Sequence, residues 1–546
     1  MQIILYKTFT VRLIARALLF IGLVCIFFSC ADTPVPQDSR TVFKYNQPNN
    51  ITSLDPAFAK SQNNIWAVDH LYNRLVELND ALETVPAIAS SWSISEDGKT
   101  YTFNLRKDVY FHDNPCFPNG KGRKVNAQDA VYSLRRIIDK EVNSPGSWIF
   151  GGKLIDNDPF IAVDEYTFEV RLKSAFRPML GILTMHYCSI VPQEAIEYYD
   201  LQYRSNPVGT GPFKMKIWLE NQNLFLQKNP NYFEQENGEQ LPFLDAIKIY
   251  FMSDRKTAFL ELKKGKIDLI SGMDASYVNE LLDQQGNLKK ALKKDLQLIK
   301  SPYLNLEYIG MNLAMEDGPL SNKYFRQALN FAVDRKLMMQ SLRNNVGIPA
   351  EQGVTPRGLP SFNKDLVGYS YNLQKASALL LKAGYNNGET IPEITIHTNS
   401  DYVDLATFLT SQWKQIGVRA SIEIIESGTL RNAMTKGTIP MFRASWIGDY
   451  PDAENYFSLF YSGNPAPPNY TRFKNSDFDT LYESALKENV DSMRYDLYRQ
   501  MEEILIEESP VIFLFYDQTA LCAGSNITNL PSNAINLLTL KRVKKQ

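Results

Sequence analysis

The chain has 546 residues, enough for two to four domains at roughly 100 to 200 residues each. Lys and Arg total 58 against 60 Asp and Glu, 44% of residues are apolar and 22% charged. These proportions exclude a disordered, collagenous or polytopic membrane chain and give no electrostatic reason to expect nucleic acid; four His in all argue against a multi-histidine metal site.

Residues 1–29 contain no acid, carry Lys7, Arg12 and Arg16, and run uncharged from Ala17 to Ser29 before Cys30. This reads as a signal peptide with a basic start and an apolar stretch short for a bilayer span. The step FFSC-A followed by DTPVPQDSR resembles a bacterial lipobox, although Phe27 and Phe28 stand where that motif prefers Leu and a small residue. The expectation is acylation at Cys30 and a tether over 30–40; an uncleaved N-terminal anchor is the alternative. Either places the body outside the cytoplasm. Cleavage removes Cys25 and acylation occupies Cys30, leaving Cys116, Cys188 and Cys522, which permit at most one disulfide, with Cys116 and Cys188 the candidate pair, or three buried thiols.

In the body, helical and strand periods interleave without a fixed repeat. TYTFNLR and YTFEVRL alternate as half-buried strands. Asn126, with Asp129 three residues on, caps a helix through VYSLRRIID. Gly and Pro punctuate PVGTGPF (207–213) and the region of Ser301 and Pro302, which suggests three regions. Phe325, Ala328, Leu329 and Ala332 place YFRQALNFAVDRKLM on one amphipathic helix. DLATFLTSQWKQIG reads as a helix stopping at Gly417, with Val418, Ala420, Ile422 and Ile424 alternating after it, an α/β signature.

Catalytic signatures are missing: there is no HExxH, GxSxG, phosphate-binding loop or CxxC pair. Gly209 and Gly211 begin a GxGxxG, but Lys214 occupies the third glycine's place. His70, His112, His186 and His397 are scattered and read as structural or surface residues, while Glu502/Glu503 and Glu507/Glu508 read as a solvated helix face. No cofactor, metal or enzymatic activity is expected.

Seven collinear stretches carry a resemblance. They are LDPAFA (54–59); LYNRLVELND with VPAIASSWSISEDGKTYTFNLRKDVYFHD and VNAQDAVYSL; PVGTGPF; NPNYF (229–233); LKKGKIDLI (262–270); FRQALNFAVDR (325–335); and WIGDYPDAENYF (446–457). Together they resemble the family 5 extracytoplasmic solute-binding proteins, the oligopeptide- and dipeptide-binding receptors of peptide ABC transporters. DNPCFPNGKGR (113–123) is longer than that family's turn and reads as a lengthened surface loop.

The resemblance implies an α/β clamshell of the class II periplasmic-binding type, two lobes with an additional third domain. Lobe I would comprise 41–82, 208–303 and 512–546; the extra domain 83–207; lobe II 304–511. It implies short peptides as ligands and permease subunits as partners, hinge closure on the ligand in place of covalent chemistry, and an anchor in a membrane through Cys30. Asp449 would hold the peptide ammonium, although on residues alone it suits a turn. Trp446 and Tyr450 would wall the pocket, or be ordinary core. Arg443 would hold the peptide carboxylate, and Arg357, in TPRGLP, is a second candidate for it. The same architecture with another solute (a nickel chelate, haem, a sugar or an opine) and an orphan surface lipoprotein are the alternatives.

Overall fold

The computed structural model describes residues 41–385 and 391–546; the leader and Cys30 lie outside the described residues. The body is a two-lobed α/β structure whose largest sheet runs, edge to edge, Ala420–Ile424, Ile394–Thr398, Met441–Ile447, Leu296–Met311, Val511–Gly524, Leu269–Ser271, Val42–Asn46, Ala246–Tyr250, Asn223–Lys228 and Phe213–Leu219. Two long antiparallel strands unite it. Residues 296–302 pair with 518–524 on the side of Leu269–Ser271, and residues 306–310 pair with 511–516 on the side of Met441–Ile447. The register breaks between Pro302 and Leu306, where proline has no N–H to give the ladder. The expected interruption at Ser301 and Pro302 is therefore a bend inside a continuous strand, not a loop.

Each side of that bend has its own core. One contains Phe43, Tyr45, Leu71, Tyr72, Ile247 and Ile249 and continues through residues 83–207; another contains Leu306, Tyr308, Phe325, Trp413, Phe442 and Phe513. The 83–207 region adds a four-stranded antiparallel sheet, ordered Ala89–Ile94, Thr100–Leu105, Thr167–Arg171, Phe160–Ala162. Tyr101 and Phe103 face inward with Phe168 and Val170, as their alternation requires. Helix Ala127–Ile138 starts at the expected capping box, Asn126 accepting from Gln128 and Asp129 N–H while Asp129 accepts from Asn126 N–H.

Local chemistry overrides periodicity at FRQALNFAVDRKLM. It forms two helices, Lys323–Phe331 and Arg335–Arg343, because Asn322 and Asp334 each cap a start, Asp334 accepting from Leu337 N–H. The motif's polar residues clamp residues 508–513, where helix Asp491–Glu508 leads into strand Val511–Gly524. Arg326 donates to the Glu508 and Ser509 carbonyls, Asn330 to Val511 O, and the fully buried Arg335 to Phe513 O at 2.7 Å. Burial without a paired acid lowers the Arg335 pKa to about 10. That stretch of the resemblance is architecture, not ligand contact.

Helix Val403–Lys414 is followed by Gly417 at φ +81 and strand Ala420–Ile424. Gly209 and Gly211 serve close packing: a Cβ on either would lie within 2.5 Å of Leu71 backbone atoms. His70 and His112 are buried and His186 is half-buried by exposure; loss of water lowers His70 and His186 to about 3 and His112 to about 4, so all three are neutral. All three described cysteines are free, so the candidate Cys116 and Cys188 disulfide is absent and the buried-thiol alternative holds for Cys188 and Cys522. The 113–123 loop is pinned by Arg123, which holds both Asp129 and Glu194, and by Phe117 stacked on Phe111. Among the described residues no helix is long and apolar enough to cross a membrane.

Candidate solute-binding cleft

Strand Met441–Ile447 delivers the candidate site. At its end Gly448 N–H donates to Leu304 O at 2.6 Å, and a Cβ there would lie 2.7 Å from the Tyr456 hydroxyl, so the chain turns hard against the crossing strand. Asn455, at the start of the following short helix, organises the turn. Its Oδ1 accepts from Trp446 Nε1 at 2.8 Å and from Asp449 N–H at 3.1 Å, and its Nδ2 donates to Asp449 Oδ2 at 3.3 Å. Trp446 and Asp449 are thus held by one buried amide, that of Asn455, to which the sequence alone assigns no role.

Asp449 lies open to solvent, and among the described residues no Lys, Arg or His is ion-paired with it. Protein nevertheless displaces much of its water. That raises its pKa above the ordinary carboxylate value, the Asn455 amide pulling the other way. Tyr187, from the 83–207 region, faces the same charge: burial first, then Asp449, raises its phenol. Asp449 is accordingly a carboxylate between two regions of the chain, held in place but short of a counter-charge.

Tyr450 lies elsewhere than an open wall. It is buried in the core on the other side, where Cβ atoms at Gly181 and Tyr450 would approach to 3.7 Å, and its hydroxyl donates to Glu454 Oε2. Tyr482 donates to the other Glu454 oxygen. Burial raises the Glu454 pKa against these two donors.

Arg443 is six residues upstream on the strand and a diagonal neighbour of Glu307, its Nη2 donating to Glu307 Oε2. Its guanidinium carbon lies 3.3 Å from the Tyr402 ring centre. Burial raises the Glu307 pKa and Arg443 opposes the rise. This pair sits beside polar atoms that have no hydrogen bond: Arg443 Nε, Asn305 Oδ1 and, nearer the bend, Arg343 Nε, whose Nη2 meets Asp517 at 2.8 Å. Buried polar atoms are rarely left so. A cavity of about 450 Å³ opens at the bend between Gly272, Asp274, Tyr303, Arg343, Asp517 and Gln518, within the range of small-solute sites.

Arg357 comes from a separate loop. It is exposed, without an acid partner among the described residues, and 5.5 Å from the Phe362 ring centre. The structure therefore gathers Trp446 and Asp449 around Asn455, buries Tyr450 in the core, pairs Arg443 with Glu307 and carries Arg357 on a separate loop. No group of three or more His, Cys, Asp or Glu among the described residues is arranged to hold a metal.

Residues 83–468 match the family described as bacterial extracellular solute-binding proteins, family 5, middle region. The chain is 31% identical over 510 residues to Heme-binding protein A of Haemophilus influenzae, covering 89% of this chain and 88% of that one. It is 27% identical to the Dipeptide-binding protein of Escherichia coli, covering 81% and 83%. The structure of HbpA2 from Haemophilus parasuis superposes with a TM-score of 0.82 at 26% identity, over 92% of this chain and 100% of that one. Matched along most of its length, this chain belongs to family 5 of the bacterial extracellular solute-binding proteins, the extracytoplasmic receptors of ABC importers, which are binding proteins and not enzymes.

Proposed function

We propose that this chain is a lipid-anchored receptor that binds short peptides between its lobes and presents them to an ABC permease. The observation that carries the reading is Asp449, a carboxylate fixed by Asn455, facing Tyr187 and lacking a cation. A peptide α-ammonium is the natural complement, since either charge alone is costly once water leaves the closing cleft. Backbone N–H and C=O groups, common to every peptide, supply affinity independent of sequence, and bridging water accommodates varied side chains. Trp446 lies beside this ammonium site. Arg443, through donors that Glu307 does not occupy, and Arg357 serve the peptide's carboxylate end. Closure follows from ligand touching both lobes, because only differential affinity shifts an open and closed equilibrium.

Native mass spectrometry of the body from residue 31 tests this directly. Short peptides released on denaturation are the expected result. An empty protein that fails to bind a mixed di- to pentapeptide pool overturns the reading. The anchor is tested separately: Cys30→Ser abolishes the lipid mass and the membrane fractionation, and unchanged behaviour refutes it.

A second reading is favoured by the likeness to Heme-binding protein A. Haem carries two carboxylates and no ammonium, so it would use Arg357 and Arg443 and leave Asp449 idle. A single haem mass in the same experiment selects it.

A further inference from the structure

The two cores trade side chains where region 83–207 meets the chain beyond strand Met441–Ile447. Tyr450 is buried in the core that contains Phe43 and region 83–207, and Leu486 packs against both cores. In the opposite direction Leu82, 4% exposed, enters the core of Leu306 and Phe513. It stands at φ +61, a conformation uncommon for a leucine, in a turn pinned by Asn79 Oδ1, which accepts from Ala81 and Glu83 N–H. Strand Val76–Leu78, just before that turn, packs on helix Met179–Leu183. On that helix a Cβ at Gly181 would lie 3.5 Å from Pro451 Cδ and 3.7 Å from Tyr450 Cβ. Nearby, Arg177 N–H donates to Leu486 O at 3.1 Å.

The polar fringe of this surface is incomplete. Arg177 Nη2 stays 3.7 Å from Asp491 Oδ1, beyond hydrogen-bond range, and Arg177 Nε is buried without a hydrogen bond. Lys153, its ammonium 5.1 Å from the Phe176 ring centre, faces Glu454 from the same region: burial lowers its pKa and Glu454 opposes the fall. A permanent core satisfies its buried polar atoms. A surface that parts and is wetted again need not.

We propose that this surface is a latch: region 83–207 and Leu82 meet Tyr450, Pro451 and Leu486 when the cleft shuts, and part from them when it opens. Region 83–207 shares a core with Leu521 and Ala523 on one side of the bend, whereas Tyr450 follows strand Met441–Ile447, paired with residues 305–311 on the other. Rotation at the bend therefore moves one past the other. The inference rests on the receptor reading for an opening cleft, not for the identity of the solute. Contacts made only in the closed state raise its population, and the apparent affinity for every solute scales with that population. A latch thus serves a receptor whose solutes differ, because it contributes equally to all of them.

Small-angle scattering of the solute-free protein decides it, with calorimetry on Ala-Ala-Ala and hemin as the second readout. Gly181→Ala places a methyl at ordinary contact distance and should behave as wild type. Gly181→Leu should wedge the helix off Pro451, enlarge the radius of gyration and weaken whichever probe binds about tenfold, both by the same factor if both bind, with the thermal midpoint held. Arg177→Cys combined with Leu486→Cys tests the same contact without a wedge, should Gly181→Leu fail to fold. Oxidised, this pair should be the most compact form and release bound probe about tenfold more slowly than when reduced. Equal radii for the oxidised pair, the reduced pair and Gly181→Leu make the contact permanent and overturn the proposal. So do thiols that never oxidise, which show that the segments do not meet, and unequal losses for the two probes, which place the effect in the cleft itself. Binding of neither probe overturns the peptide and haem readings, while the scattering still decides the latch.

Discussion

Asp449 and Asp452 lie three residues apart in one turn, yet their surroundings differ in kind. Asp452 is salt-bridged to Arg494, accepts from the Tyr498 hydroxyl at 2.6 Å and caps Glu454 N–H at 3.0 Å. Burial alone would lower the Arg494 pKa; Asp452, with Tyr498 and Asp491, more than reverses that and holds the guanidinium firmly charged. Asp449 has one side-chain amide and, among the described residues, no paired cation. The first acid is complete within the fold, whereas the second is the one we propose a ligand's ammonium completes. A carboxylate that a protein immobilises without a counter-charge marks a site more clearly than its exposure or residue type does.

The two acids should therefore fail differently. Asp449→Asn is expected to weaken Ala-Ala-Ala binding on the order of 100-fold, about 3 kcal/mol, because the ammonium enters the cleft without its charge partner. Its thermal midpoint should hold or rise slightly, since removing a carboxylate with a raised pKa relieves the apo state. Undiminished affinity by calorimetry would end the assignment of Asp449. Asp452→Asn should lose about 3 kcal/mol of unfolding free energy, because Arg494 is left charged in a buried setting, with only a minor change in affinity after correction for unfolded protein. If denaturant melts show the stability effect at position 449 instead, the contrast collapses.

How much of this was legible in the sequence depends on the range of the interaction. The strand pairs Thr100–Leu105 and Thr167–Arg171 and the box at Asn126 could be read because alternation and capping are local. The helix over 323–343 was read as one because apolar spacing continues across Asp334, and only the capping geometry divides it. The WIGDYPDAENYF stretch could be singled out in the sequence as a candidate, but its internal wiring could not be read there. Trp446 and Asp449 share Asn455, whereas Tyr450 points into the opposite core. Arg443 meets Glu307, 136 residues away, through strand pairing that no pattern within either segment announces. Glu502, which is buried, was misread for the same reason: its partners, the Thr355 and Val354 N–H groups, lie 147 and 148 residues upstream, and a pair of adjacent glutamates on a helix resembles a wet face until a distant loop covers one of them.

That covering sharpens the contrast on a second axis, pH. An acid with a folded pKa above its unfolded value stabilises most below the unfolded pKa and loses that contribution as pH rises through the folded one. For Glu502 the window runs from 4.5 to about 7, and the shift corresponds to roughly 3 kcal/mol, lost on going from acid to pH 8. Glu502→Gln should flatten this component of the stability profile in urea melts at fixed pH values; an unchanged profile would place the titration elsewhere. Asp449 runs the same way in the apo protein, but its ionised form binds the ammonium. Peptide affinity should therefore fall with acid while apo stability does not, and parallel pH curves for the two quantities would erase the distinction.

The smallest expected effect concerns the thiols, where the exported location and the structure pull apart. Outside the cytoplasm a disulfide is chemically permitted, yet Cys116, Cys188 and Cys522 are free. Burial raises their pKa values, Cys116 to about 11 and Cys522 to about 12, so little thiolate forms at neutral pH to attack an oxidant. Cys188 is wholly buried, its sulfur 3.6 Å from Ile182 O, and behaves as a small apolar side chain. A reducing agent should leave the thermal midpoint unchanged, and Cys116→Ser should cost less than about 0.5 kcal/mol, as at an ordinary partly exposed position. A midpoint that drops on reduction would reveal a bridge, and intact mass under denaturing conditions would then show two hydrogens gained.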